Sequence, residues 1–345
     1  MRRLIVVALV AIAVIGACSD DGGGDSSDET TDQAPDAPVE EPTNVVERPD
    51  ALTDVPPVST DSVRAITLNQ LHGLSCPTED FCHAPDRVAL LYDQIEAAGC
   101  PELVGLQEIS TRQEELIVPS LDQLCGGEYE LAWEDEQSQD RPMIFSRLPI
   151  FDQGFADLAA FPWTAYWVQV DSGIGTVDFL TTHLASSSND PICDAESCPP
   201  VCPPGIRTNQ CNGLEVLEFL DQNADPSGTT IVGGDFNARP GEPTIQAFVD
   251  AGYTDSWLAA GNAECDPATG VGCTGGGNAQ TELAGLDDPT RLMSGRIDYL
   301  MVRAAPDCAA TFAVEGFANV PLDDPIDGLF WVSDHTGLLG TVRCG

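Results

Sequence analysis

Gly233-Gly234-Asp235-Phe236-Asn237-Ala238-Arg239-Pro240 constrains the fold more than any other stretch of this chain. Thr229 to Val232 reads as a buried strand, and the two glycines after it let the backbone turn tightly. Side chains alternate along extended backbone, so the Asp235 carboxylate and the Asn237 amide, at i and i+2, point the same way. Near the C-terminus Ser333-Asp334-His335 sets an imidazole beside an acid, just before an apolar segment from Leu338 to Val342. An acid, an amide and an imidazole at strand ends make a poor core and suit hydrolytic chemistry.

Other short signals have the same form. Val104-Gly105-Leu106-Gln107-Glu108 is an apolar run ending in an acid, and Leu180-Thr181-Thr182-His183-Leu184 is a strand ending in a histidine. Gly295-Arg296-Ile297-Asp298-Tyr299-Leu300 sets an acid into a strand, and Thr67-Leu68-Asn69-Gln70 closes the first strand of the domain, 63–70. Periodicity predicts helices over 86–98, 113–124 (interrupted near Pro119), 214–223 and 244–251. It predicts further strands over 103–106, 129–133, 143–146, 296–302, 311–314 and 338–342, and a hairpin of 164–170 with 176–182. Asp190 to Cys211 is a Pro- and Cys-rich excursion, and Asn262 to Asp288 a Gly-rich loop region. This pattern by itself implies only a mixed α and β chain.

In order the motifs read Asn, Gln-Glu, Thr-His-Leu, Gly-Asp-Phe-Asn, Arg-Ile-Asp-Tyr, Ser-Asp-His. That series, over residues 62 to 345, resembles the endonuclease/exonuclease/phosphatase superfamily, which includes pancreatic-type deoxyribonucleases, abasic-site endonucleases, sphingomyelinases and inositol-polyphosphate phosphatases. The resemblance implies an α+β fold, a four-layer sandwich of two packed mixed β-sheets flanked by helices. It implies a metal-dependent hydrolase of phosphoester bonds, chiefly a phosphodiesterase or nuclease. A sphingomyelinase-like enzyme, a small-molecule phosphatase and a non-catalytic surface binding protein on the same fold are the alternatives.

Phosphoester hydrolysis needs a base for the attacking water, neutralisation of phosphate charge and a proton for the leaving oxygen. Asp235 is the expected base, and Asn237 is expected to hold the water or a phosphate oxygen. Hard dications take oxygen ligands, and the resemblance implies that Glu108 binds Mg²⁺ (or Mn²⁺), with Asn69 beside it and Asp334 adding to the outer shell. His335 is expected to act on the leaving oxygen, oriented by Asp298, and the resemblance implies that His183, matching the family's second histidine, stabilises charge on the phosphate. Family members often carry a further acid just after the Asn69 position, where this chain has Gln70 and Leu71. Of the four histidines, His72 and His83 are left as structural or exposed. Arg207 and Gln210 are expected to brace the following helix, and Trp163, Tyr166 and Trp167 on the hairpin to pack in the core, with an aromatic stacking platform for a base as the alternative.

The N-terminus is a separate unit. Arg2-Arg3 precedes an apolar run from Leu4 to Ile15, too short to span a bilayer, and Ile15-Gly16-Ala17-Cys18 is similar to a bacterial lipobox. A signal peptide over 1–17, a lipid on Cys18 and export to the outer face of a bacterial membrane are expected. Residues 18–61 hold thirteen acids and one base, Arg48, and are expected to form a disordered tether to a catalytic domain over 62–345.

Of thirteen cysteines, twelve remain once Cys18 is set aside, which suits disulfides in an oxidising compartment. Cys76–Cys82, Cys265–Cys273, Cys100–Cys125 and Cys308–Cys344 are plausible pairs. Cys193, Cys198, Cys202 and Cys211 could instead hold zinc, although their spacing is irregular. Net charge is −42, with no lysine. Such a surface repels nucleic-acid backbone at long range unless a local rim of Arg141, Arg207, Arg239 and Arg296 offsets it. The expected partners are a phosphoester substrate (nucleic acid, phospholipid or small phosphorylated solute) and the membrane; no protein partner is expected.

Overall fold

The computed structural model describes residues 52, 54–76, 80–132, 141–158, 163–186, 191–193, 198–277 and 281–345. Cys18, the leader and the tether up to residue 51 lie outside the described residues. The strands are β1 (Ser62–Asn69), β2 (Leu103–Ile109), β3 (Glu130–Ala132), β4 (Arg141–Ser146), β5 (Ile150–Leu158), β6 (Trp163–Ser172), β7 (Gly175–His183), β8 (Thr229–Asp235), β9 (Thr254–Asp255), β10 (Asp298–Arg303), β11 (Ala310–Phe317) and β12 (Gly337–Cys344). The helices are α1 (Ala84–Ala97), α2 (Thr111–Ser120), α3 (Thr208–Asn223), α4 (Pro243–Asp250), α5 (Ser256–Ala259) and α6 (Glu282–Asp287).

Two six-stranded mixed sheets result, ordered β11-β12-β1-β2-β4-β3 and β5-β6-β7-β8-β10-β9. Strand alternation sorts the apolar residues into three layers of core. In β1, Val63 and Ala65 face the second sheet, while Ile66 and Leu68 face α1 and α2. In β10, Leu300 and Val302 enter the space between the sheets, while Tyr299 and Met301 pack with α3 and α4 on the outside. The order is helices, sheet, sheet, helices: the four-layer sandwich expected from the motif series. Gly105 makes the close sheet-to-sheet approach possible, since a Cβ there would lie 2.9 Å from Phe179 and Thr181. Beside it Gln107 Nε2 crosses the interior, donating to Thr67 Oγ1 (3.0 Å) and Thr181 Oγ1 (2.6 Å).

Several expected elements change their bounds. The 113–124 helix becomes α2, begun by a Ser110–Gln113 capping box, followed by a 3₁₀ turn over 121–127 in which Leu124, Cys125 and Gly126 leave helical geometry. Helix α3 starts at Thr208, six residues before the expected Leu214, because buried Asn209 and Asn212 interrupt the apolar period. Strand β5 was not expected. It is an edge strand with mostly exposed side chains, so no apolar alternation marks it. Tyr166 and Trp167 are core, as expected.

The folded body begins before residue 62. Leu52, Val55 and Val58 pack against the core, and Arg147 Nη2 donates to Pro56 O (2.6 Å). The expected tether therefore loses its last ten or so residues to the domain. All four named disulfides form, and the remaining cysteines pair as Cys193–Cys198 and Cys202–Cys211, which removes the zinc alternative.

Candidate active site

Register brings the site residues together at one end of the two sheets. In the second sheet His183, at the end of parallel β7, pairs with Asp235 at the end of β8, and Asp235 pairs across to Asp298 at the start of β10. In the first sheet β1 ends at Asn69 opposite Gln107, and a register shift in β2 between Leu106 and Ile109 turns Glu108 out of the alternation. Glu108 (φ 60) and Asn237 (φ 47) both take left-handed backbone, which costs a side-chain-bearing residue roughly 1–3 kcal/mol and persists where the surroundings enforce it. Gly234 is obligatory, because a Cβ there would lie 2.0 Å from Thr182 O.

One polar network joins these side chains. Asn69 Nδ2 donates to Glu108 Oε1 (2.8 Å) and to Asp235 Oδ2 (3.1 Å). Asp235 Oδ1 accepts from the Asn237 backbone N–H (2.8 Å). Asp235 Oδ2 lies 3.6 Å from His183 Nε2 and 3.8 Å from His335 Nε2. His335 Nδ1 sits 3.0 and 3.2 Å from the two oxygens of fully buried Asp298. Ser333 Oγ donates to Asn69 O and accepts from the His335 N–H, so the C-terminal turn is fastened to β1.

Charge states follow from this packing. Burial alone would raise Glu108, but His183, His72 and the Asn69 N–H, with His335 beyond, hold it below the ordinary carboxylate value. Burial, and then the charge of Asp298, push Asp235 up to about 6 against the pull of His335, His183 and the Asn237 N–H. Burial disfavours a charged His335, yet Asp298 and Asp235 hold its pKa well above the ordinary value. The arrangement offers an imidazolium backed by an acid, facing a carboxylate that can accept a proton.

Glu108, Asp235, His183, Asp298 and His335 thus converge as expected; three other placements differ. Asn69 turns its amide oxygen to the Leu71 N–H (3.0 Å) and gives N–H groups to the cluster, so it orients two carboxylates instead of presenting an oxygen ligand. Asn237 Nδ2 faces His183 Nε2 (3.0 Å) and Leu184 O (3.0 Å), which commits that group to setting the imidazole. Asp334 is half-buried beside Ser333 (3.4 Å), and its charge acts on Arg291 and His335.

Of the expected cationic rim, Arg141 is buried against Glu114 (2.6 Å) and Arg296 against Glu264 (2.8 Å) and Asp255 (2.7 Å); Arg207 and Arg239 are exposed. Asn209 in the first turn of α3 braces the helix, its Nδ2 donating to Ala185 O (2.7 Å) and Phe236 O (2.8 Å).

The sequence reading missed His72. Its N–H donates to Glu108 Oε2 (3.0 Å), and its ring Nε2 lies 3.7 Å from the same oxygen. It also missed Thr274, whose Oγ1 accepts from the N–H groups of Ile297 and Asp298 (both 3.0 Å), and Arg87, a buried guanidinium on α1 that donates to the carbonyls of Gln70, Leu71, Phe81 and Cys82. The only signal for His72 is its position three residues past Asn69.

The donor set fits a hard dication. Glu108 is ionised, and a carboxylate has four lone-pair sites, of which Asn69 and His72 occupy two. Asp235, Asp298 and His335 also present ligand atoms within 4.8 Å of one another, but both Asp298 oxygens already face His335.

A two-sheet sandwich with an acid–imidazole cluster and a metal-competent glutamate at one end defines a phosphoesterase class. The chain belongs to the endonuclease/exonuclease/phosphatase family, whose model matches residues 66–335. Members of this family hydrolyse phosphoester bonds and use divalent metal ions. Among solved structures the chain is similar to truncated Caenorhabditis elegans TDP2 (19% identity, TM-score 0.56, 82% of this chain and 98% of that one). It is similar to an endonuclease/exonuclease/phosphatase protein from Bacteroides vulgatus (17%, 0.57, 82% and 99%) and to D. rerio TDP2 complexed with single strand DNA product (18%, 0.57, 82% and 99%). At these identities the likeness speaks to the fold. No curated protein matches the chain.

Proposed function

We propose that this chain is a phosphodiesterase that works outside the cytoplasm with Mg²⁺ or Mn²⁺ held at Glu108. The observation that carries this is the continuous network from Glu108 through Asn69 to Asp235, with His335 facing Asp235 and backed by Asp298. Asp235 takes the proton of the attacking water as its oxygen bonds to phosphorus. His335, protonated, gives its Nε2 proton to the leaving oxygen as the old P–O bond breaks. His183, set by Asn237, donates to a phosphate oxygen. The cation, when bound, supplies charge neutralisation on the phosphate. Loss of Arg141 and Arg296 to buried ion pairs favours short or small phosphodiesters over long duplexes, and the single-strand DNA product in D. rerio TDP2 fits that range.

Chelator is expected to abolish 4-nitrophenol release from bis(4-nitrophenyl) phosphate, and Mg²⁺ or Mn²⁺ to restore it. Asp235→Asn and His335→Ala are each expected to lower turnover by about two to four decades. Full activity in chelator, or wild-type rates in both variants, would refute the assignment.

The lipobox-like Ile15-Gly16-Ala17-Cys18 and the acidic stretch after it support a lipid anchor on Cys18 and a solvated tether to the outer face of a membrane. Cys18→Ser is expected to move the protein from the membrane fraction to the soluble one; unchanged lipid-dependent anchoring would defeat this.

A further inference from the structure

A cavity of about 480 Å³ lies one residue away from the catalytic pair and takes no part in the chemistry above. Thr274, which holds the Asp298 N–H, and Thr336, which follows His335, stand in its wall. Its volume falls in the range of small-molecule sites, roughly 300–1,000 Å³. Arg291 also lines the cavity, stacked with its guanidinium carbon 4.0 Å from the Trp331 ring centroid, and Leu292, Met293 and Trp257 complete the lining used here.

Arg291 is 7% exposed and has no carboxylate within 4.0 Å among the described residues. Among the described residues its Nη1 and Nη2 reach only backbone carbonyls, of Gly285 (3.3 Å) and His335 (3.4 Å), and its buried Nε has no hydrogen-bond partner. A buried cation served by two long neutral contacts is under-compensated, and burial lowers its pKa to about 10 despite the charges of Asp334 and Asp288. Arginine in this state selects a carboxylate or phosphate oxygen, and the indole and aliphatic walls select an apolar, planar body. The acidic surface opposes anions at long range, so a single charge suits the site better than several.

We propose that this cavity is a binding site for a small planar organic anion, held by Arg291 and Trp331. It stands independently of the phosphodiesterase reading, because binding is observed without turnover. The test is a titration of the full chain, ¹⁵N-labelled, with 1-naphthoate and with uncharged 1-naphthamide, followed through the indole N–H resonances of Trp331 and Trp257. Naphthoate is expected to shift both resonances saturably at about 1 mM or below, the affinity range of a fragment of this size. Naphthamide is expected to bind about tenfold more weakly.

Arg291→Gln should erase that difference, and Arg291→Lys should keep part of it and covers the case in which the glutamine variant fails to fold. Val271→Trp, at a cavity position that is 64% exposed, should block both probes while leaving the spectrum folded. Absence of indole shifts at about 10 mM naphthoate, equal affinity for the two probes, an unchanged preference in folded Arg291→Gln, or undiminished binding in Val271→Trp would each overturn the proposal.

Discussion

His72 lies three residues past Asn69, and its ring geometry sets its role. The Leu74 N–H donates to His72 Nδ1 (3.0 Å), so in the neutral ring the proton is on Nε2, which faces Glu108. That tautomer cannot ligate a cation through Nε2; it can steady the carboxylate that does. Groups that orient a metal ligand are each worth about 10–100-fold in metal affinity. His72→Ala keeps the backbone bond to Glu108 and loses the ring, so Mn²⁺ affinity, read by calorimetry or by electron paramagnetic resonance of free Mn²⁺, is expected to weaken about tenfold. An unchanged affinity would show that Asn69 and the His72 N–H fix Glu108 by themselves. At this scale the sequence shows chemistry well and orientation poorly. Asp235 and His335 were legible because an acid and an imidazole at strand ends have few structural uses, whereas the part given to Glu108 rested on the family resemblance. The roles of Asn69 and Asn237 were not, since an amide offers a donor and an acceptor and only the neighbours decide which end faces the site.

Among elements, the segment from Asn262 to Asp288 departs furthest from expectation. Its composition suggests an exposed loop, yet it is fastened to the sandwich through Thr274 and through Glu264, whose two oxygens take Arg296 Nε and Nη2 (both 2.8 Å). Asp255 of β9 shares the same guanidinium, so loop, β9 and the start of β10 are tied at one point. The Arg296 bond, against opposing burial, lowers the Glu264 pKa from 4.5. A depressed acid contributes stability that is fully present above its unfolded value and is lost as pH falls through the folded one. Glu264→Gln is therefore expected to destabilise the protein by about 1 kcal/mol near neutrality, a figure kept small by the exposure of the carboxylate. The gap to wild type in urea unfolding should narrow as pH falls below the ordinary glutamate value of 4.5 and close once the lowered folded-state value is passed. A gap that persists unchanged at low pH would mean that the charge of Glu264 is immaterial. Strands β1, β2, β7, β8 and β10 were legible because burial on both faces writes continuous apolar runs. Edge strand β5 and the polar first turns of α3 were not, since their residues answer to hydrogen bonds and solvent rather than to periodicity.

For the molecule as a whole, charge and site pull in opposite directions. The chain carries −42 at pH 7 with fourteen arginines and no lysine, and several of those arginines, including Arg87, Arg141, Arg147 and Arg296, are buried and engaged by carboxylates or carbonyls. Proteins that grip nucleic acid through cationic contacts lose affinity as salt rises, because counterions compete for the phosphates. This surface has the reverse sign, so salt should relieve repulsion before it weakens any contact. The screening length falls from about 30 Å at 0.01 M to about 8 Å at 0.15 M ionic strength. At constant Mg²⁺, kcat/KM for a single-stranded oligonucleotide is expected to rise several-fold over that interval, while the value for singly charged bis(4-nitrophenyl) phosphate changes less than about twofold. A fall for the oligonucleotide would mean that exposed Arg207 and Arg239 govern encounter and that the acidic body is electrostatically silent at the site. A rise confined to the polyanion would place substrate choice in the field of the entire domain, above any single contact in the cleft.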